Sequence, residues 1–192
     1  QLNLAAIGSG GKGISDIANA SVNGRERVAA LCDVDFSGSA SRSVKRFPKA
    51  KLYSDFREML DNEKDIDAVT ISTPDHVHGP AAAFAMQRGK HVYVQKPTSL
   101  TVEEGRMLSN VVKKTNIILQ VGTQQRSYSQ FRVAAELVRN GRIGKLHTVK
   151  IGLTTDPAGP VGLVTAPPAN LDYNKWLGST PFMPYTEMAI HP

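Results

Sequence analysis

Cysteine is nearly absent from this chain, with one residue, Cys32, in 192. A lone thiol closes no internal disulfide, and Cys32 ends the apolar run Val28–Cys32, so its expected role is core packing in a reducing compartment such as the cytoplasm. Long apolar runs are missing as well. No stretch approaches the roughly eighteen consecutive apolar residues of a membrane-spanning helix, and no signal-peptide pattern follows Gln1. The chain opens without an initiator methionine, which keeps an exported protein with a removed leader as the alternative to a cytoplasmic one. Aromatic residues make up only 6% and form no RNP-like or zinc-finger pattern, which argues against nucleic-acid binding. Positive charge is in excess, +6 net, but no run of five or more lysines and arginines occurs. It reads as solvated helix faces with a modest bias toward anionic ligands. His76 and His78 form a His-x-His pair without a third ligand at a sensible spacing, so no metal site is expected. Internal repeats and low-complexity tracts are also lacking.

What is present is an ordinary globular composition, 41% hydrophobic and 21% charged, long enough for one complete α/β domain and part of a second. The apolar run Leu2–Ile7 is followed at once by Gly8-Ser9-Gly10-Gly11-Lys12-Gly13 and then by a helix-compatible segment, Ile14–Ala20. This is G-x-G-x-x-G between a strand and a helix. The first glycine permits the tight turn, the second lets a pyrophosphate approach the backbone, and the third allows close helix–strand packing, with free N–H groups at the helix start. The next expected strand, Val28–Cys32, ends at Asp33, twenty residues after Gly13. A carboxylate there accepts hydrogen bonds from an adenosine ribose. It favours NAD over NADP, because it repels a 2′-phosphate and no arginine follows immediately after Val34. Asp35 fits a turn or cap role better.

Further scaffold follows: a helix over Ser39–Phe47 stopped by Pro48, a short strand at Lys51–Tyr53, and a helix from Asp55, its N-cap, to Asn62. Ile66–Ser72 reads as a fourth strand running into Ser72-Thr73-Pro74, a loop suited to lie against the nicotinamide ring, and His78 sits just inside the helix that follows. Gly89 closes that helix, and His91–Val94 is a buried strand that Pro97 prevents from continuing. Lys96 therefore arrives at the carboxyl end of a parallel strand, where open sheets bind ligands, and is the candidate catalytic residue.

Here the pattern resembles the Gfo/Idh/MocA family of NAD(P)-dependent oxidoreductases. The residues that carry the resemblance are Thr73-Pro74-Asp75-His76-Val77-His78, Arg88-Gly89-Lys90-His91-Val92 and Gln95-Lys96-Pro97. The later runs Val138–Lys145 and Asp172–Gly178 add to it. The family's usual tripeptide is Glu-Lys-Pro, and Gln95 departs from it, leaving a dipole where a full negative charge is expected beside the lysine.

The resemblance implies a Rossmann-like doubly wound parallel sheet over residues 1–144, then the start of an α+β domain over 145–192 with a mainly antiparallel sheet that is truncated here. It implies a cofactor site built from Gly8, Ser9, Gly10, Gly11, Gly13, Asp33, Val34, Ser72, Thr73, Pro74, His78, Gln95, Lys96 and Gln124, with Arg126 and Trp176 facing a substrate. Gln124 and Arg126 follow the expected strand Ile117–Gly122, which comes after a helix capped by Thr101 and Glu104. Trp176 is either a buried anchor or a pocket wall. Ser129–Asn140 reads as an amphipathic helix, and Leu146–Leu153 as the first strand of the second sheet. The proline- and glycine-rich stretch Thr154–Leu171 is a substrate loop or a disordered segment.

The chain stops before the family's glycine- and histidine-containing segment, so a fragment of a longer, homo-oligomeric protein is expected. The implied activity is hydride transfer between NAD and a sugar, polyol or related hydroxy compound. Glycoside hydrolysis by transient oxidation and non-catalytic NAD binding are the alternatives.

Overall fold

The structure, a computed structural model, describes residues 1–153 and 162–190. Part of the Thr154–Leu171 stretch and His191 thus lie outside the described residues. Six parallel strands form one sheet: β1 (Asn3–Ile7), β2 (Arg27–Cys32), β3 (Lys51–Tyr53), β4 (Ala68–Ile71), β5 (His91–Gln95) and β6 (Leu119–Gly122). Their spatial order is β3-β2-β1-β4-β5-β6. The order reverses between β1 and β4, which opens a crevice at the carboxyl ends of those strands, the usual ligand position in such sheets.

Side-chain alternation along each strand builds a core on either face. Ala5, Ile7, Ala30, Cys32, Val69, Ile71, Val92 and Val94 point one way. They meet Met59 and Leu60 of α3 (Phe56–Asn62), the alanines and Met86 of α4 (Asp75–Gln87), and Leu108 of α5 (Val102–Thr115). Leu4, Ala6 and Leu31 point the other way, joined by Val28 across a register shift that inserts Ala29 into β2, against Ile17 of α1 (Lys12–Ala20) and Val44 of α2 (Ser41–Arg46). Cys32 belongs to this core, and burial pushes its thiol well above the ordinary range, with Asp33 adding to the effect, which leaves it un-ionised.

The helix signals act as expected. The Asp55 side chain accepts from Arg57 N–H, and Thr101 accepts from Glu104 N–H while the Glu104 carboxylate accepts from Leu100 N–H. α1 starts two residues ahead of the expected Ile14, because Lys12 and Gly13 already take helical geometry behind Gly11.

The described residues fall into two compact units. The first is Gln1–Gly122 with Thr165–Tyr185; the second is Thr123–Val164 with the residues from Thr186 on. In the second unit α6 (Ser129–Arg139) forms as the sequence pattern predicts, with Phe131, Leu137 and Val138 exposed, and α8 is Glu187–Ile190. The strand expected over Leu146–Leu153 is not formed. Its residues are exposed and join no ladder, and a strand without a neighbour has no partner for its backbone groups. The one antiparallel bridge among the described residues is Val164 with Thr186. A short helix, α7 (Tyr173–Leu177), belongs to the first unit.

Candidate functional site

The glycine loop is held from three sides. Gly8 N–H donates to the Cys32 carbonyl at 2.9 Å, fixing the turn to the end of β2. Gly8 has φ +76°, and a β-carbon there would lie 2.7 Å from the backbone of Ser72 and Thr73. A β-carbon on Gly13 would fall on the carbonyl oxygen of Gly8, so the third glycine lets the helix sit against the turn, as the motif requires. Ser9 is fully buried, and its carbonyl accepts from Ser43 Oγ at 2.6 Å, a bond from α2.

Asp33 closes the loop from the end of β2. Its Oδ2 accepts from Ser9 N–H at 2.7 Å and Gly10 N–H at 3.0 Å, and its Oδ1 accepts from Asp35 N–H at 3.1 Å. A carboxylate has about four acceptor positions, so capacity is left on Oδ1 for a hydroxyl donor. Over Gly11 there is open space, no side chain caps α1, and the N–H groups of Gly11 and Lys12 meet no protein acceptor among the described residues.

The loops after β4 and β5 are joined through two buried polar side chains. His78, only 1% exposed, places Nδ1 2.6 Å from the Pro97 carbonyl and Nε2 2.8 Å from the Thr73 carbonyl. Both partners are acceptors, so both contacts are hydrogen bonds only when both ring nitrogens carry a proton. Far from opening onto solvent, the ring ties the Thr73-Pro74 loop to the Lys96-Pro97 loop.

The second link is Asp16, a residue the sequence pattern did not single out. It is 6% exposed, and its Oδ2 accepts from Ser72 Oγ and Gln95 Nε2, each at 2.8 Å, while Lys12 pairs with its other oxygen. No local signal marks it, because its partners Ser72 and Gln95 are far away in sequence and Asp16 sits in a polar-looking turn of α1.

Lys96 itself is exposed, directly after β5, and its ammonium meets no hydrogen-bond or ion-pair partner among the described residues. The Lys96–Pro97 peptide is cis.

Residues Thr165–Tyr185 complete the carboxyl edge of the first unit. Asp172 N–H donates to the Val34 carbonyl at 3.1 Å, Asn170 Nδ2 donates to Asp35 at 2.9 Å, and Lys175 Nζ reaches Ser54 Oγ at 2.7 Å. Burial alone would raise the Asp35 carboxyl, but the donors Asn170, Ser39, Gly38 and Ser37 outweigh it and hold the group below the usual carboxylate range. Trp176 is half-buried, stacked on Tyr173 at 5.8 Å and edge-on to His76 at 5.2 Å, and its carbonyl accepts from His76 Nε2 at 2.7 Å. Both aspects of the tryptophan, anchor and wall, are compatible with this place.

The first unit therefore gathers Gly8 to Gly13, Asp33, Val34, Ser72 to Pro74, His78, Gln95, Lys96 and Trp176. Gln124 and Arg126 belong to the second unit, in a single 3-10 turn; Gln124 Oε1 is buried without a hydrogen-bond partner among the described residues. Among the described residues there is no cluster of three or more potential metal ligands and no helix long and apolar enough to cross a membrane.

Comparison with known proteins agrees with this geometry. The family described as "Oxidoreductase family, NAD-binding Rossmann fold" matches residues 2–123. The chain is 34% identical over 163 residues to scyllo-inositol 2-dehydrogenase (NAD(+)) of Bacillus subtilis, covering 83% of this chain and 46% of that protein. It resembles the crystal structure of myo-inositol 2-dehydrogenase from Lactobacillus plantarum, with a TM-score of 0.66 and 31% identity over 75% of this chain and 42% of that one. Scyllo-inositol dehydrogenase from Lactobacillus casei, solved with NAD(H) and scyllo-inositol, gives a TM-score of 0.65 at 27% identity, with 75% of this chain and 42% of that one covered. The chain spans about half the length, 51%, of the curated relative it matches from end to end. With the six-stranded parallel order, the glycine loop and Lys96 at the end of β5, these findings establish that the chain belongs to the Gfo/Idh/MocA oxidoreductase family.

Proposed function

We propose that the protein carrying this chain oxidises a hydroxyl of a sugar, an inositol or a related polyol with NAD. The residues fit a dinucleotide. The glycine loop offers uncapped N–H groups and open space over Gly11 for a pyrophosphate, and Asp33 keeps acceptor capacity for a ribose hydroxyl. Its negative charge disfavours a 2′-phosphate, which supports NAD over NADP. Bound NAD supplies the hydride acceptor.

The chain's own residues hold and move the proton. Lys96, with no partner for its ammonium among the described residues, hydrogen-bonds the reacting hydroxyl oxygen from the end of β5 and helps move its proton as the carbonyl forms. Ser72, Thr73 and Pro74 shape the wall on which the nicotinamide lies, and His78 keeps that wall in register with the lysine loop. The observation that carries the reading is this exposed lysine at a strand end in the same compact unit as the glycine loop and Asp33.

The intact gene product, supplied with NAD and a panel of inositols, polyols and sugars, should form NADH with at least one of them. Lys96→Ala should lower that turnover by roughly a hundredfold or more while NAD affinity is kept. No NADH with any member of the panel, or full activity in Lys96→Ala, would refute the proposal.

A further inference from the structure

Among the described residues, Asp16 is the only buried carboxylate of the first unit that reaches two strand-end loops. Ser72 begins the loop after β4 and Gln95 ends β5, and both donate to the same oxygen, Oδ2. Because a carboxylate only accepts, the Gln95 amide is fixed with its nitrogen toward Asp16, which turns Oε1 to the backbone N–H of Lys96, 3.4 Å away. The amide thus bridges a negative charge on α1 to the first residue of the lysine loop. A glutamate at 95 would set two carboxylates against each other at this distance, and one of them would have to hold a proton. The absence of a charge at residue 95 and its presence at residue 16 are therefore one arrangement.

We propose that Asp16 is a positioning residue for the reaction: it supplies the single buried negative charge of the site and, through Gln95 and Ser72, holds the lysine loop and the Ser72-Thr73-Pro74 loop to the glycine-loop helix. The ionisable groups around it are few. Lys12 lies on its own helix, and Tyr93 on β5 is raised above its ordinary value, first by burial and then by Asp16. The strands against which α1 packs, β1 and β4, carry no ionisable side chain within their spans. This inference rests on the proposed function for its catalytic consequence, and on the geometry alone for the charge.

The test is an exchange in the intact gene product, comparing Gln95→Glu, Asp16→Asn and the double variant Asp16→Asn/Gln95→Glu. Gln95→Glu should lower kcat at neutral pH by roughly ten- to a hundredfold, the scale of one disrupted charged hydrogen bond. NAD affinity should stay within about threefold, since the ribose and pyrophosphate contacts are untouched. Its rate should recover as the pH falls, because the paired carboxylates are relieved by sharing a proton, and its thermal midpoint should follow the same course without any substrate. Asp16→Asn should lower kcat without that recovery, since no carboxylate is left to titrate. The double variant, with one carboxylate facing one amide in reverse, should regain most of the lost kcat and lose the acid recovery.

A double variant no better than Gln95→Glu, or a Gln95→Glu protein with the wild-type rate and midpoint at every pH, overturns the inference. If the wild type itself oxidises no polyol, the proposed function fails. The substrate-free pH profiles of the midpoint then decide the charge arrangement, and flat profiles in Gln95→Glu reject it.

Discussion

At the scale of single residues, Asp33 holds the glycine loop with the same carboxylate that the proposed function assigns to the cofactor. Its Oδ2 holds the N–H groups of Ser9 and Gly10, and its Oδ1 keeps Asp35 N–H while retaining an acceptor position. Asp33→Asn presents an NH2 to one of these donors and removes the charge that, in the proposed function, discourages a 2′-phosphate. The expected outcome is a rise in the NAD dissociation constant of roughly tenfold, about 1.4 kcal/mol, with a smaller rise or none for NADP. Binding titrations with both cofactors read the ratio, and an unchanged ratio would show that selectivity lies elsewhere. Gly8 makes a sharper structural prediction. Gly8→Ala combines a positive φ with a β-carbon against the Ser72 and Thr73 backbone, so it should destabilise the fold by about 1–3 kcal/mol, seen as a lower denaturation midpoint.

At the scale of elements, legibility followed the range of the forces involved. The glycine loop, the caps at Asp55 and Thr101 and the stop at Pro97 are local, each set by residues within a few positions, and they were readable from the chain. Asp16 was not, since its role depends on Ser72 and Gln95, which are distant in sequence and meet it only when β4 and β5 are side by side. The same holds for α7, whose partners Val34, Ser54 and His76 lie a hundred or more residues away. Leu146–Leu153 shows the converse: alternation can specify a strand, but pairing has to come from elsewhere.

The docking of the Thr165–Tyr185 segment also carries a pH dependence. Asp35 accepts from Asn170, and its folded pKa lies below the ordinary value. Its contribution is therefore full above the unfolded pKa and is lost as pH falls through the folded one. Wild-type protein should lose thermal midpoint on acidification below about pH 4, and Asp35→Asn should lose less over the same interval. Parallel curves would mean that the Asn170 contact contributes nothing.

At the scale of the whole chain, the first unit has a sheet buried on both faces, while the second shows a formed helix with Phe131, Leu137 and Val138 exposed. Gly8, Gly13 and Asp33, to which the proposed function assigns the dinucleotide, all belong to the first unit, so cofactor binding there should register as stabilisation of that unit. A ligand at a hundred times its dissociation constant adds about 2.7 kcal/mol to a fold that binds it and an unfolded state that does not. For a chain of this length that corresponds to a rise of roughly 5–10 °C in midpoint. If the proposed site holds NAD, the net charge of +6 and the anionic pyrophosphate should make part of the affinity electrostatic, so at fixed NAD concentration the rise should shrink as salt increases. Thermal denaturation of the chain with and without NAD, at low and high salt, measures both effects. Gly13→Ala supplies the control, because its β-carbon meets the Gly8 carbonyl and displaces the loop that offers the N–H groups. A protein whose midpoint does not respond to NAD, or responds equally in Gly13→Ala, would place cofactor binding outside the glycine loop.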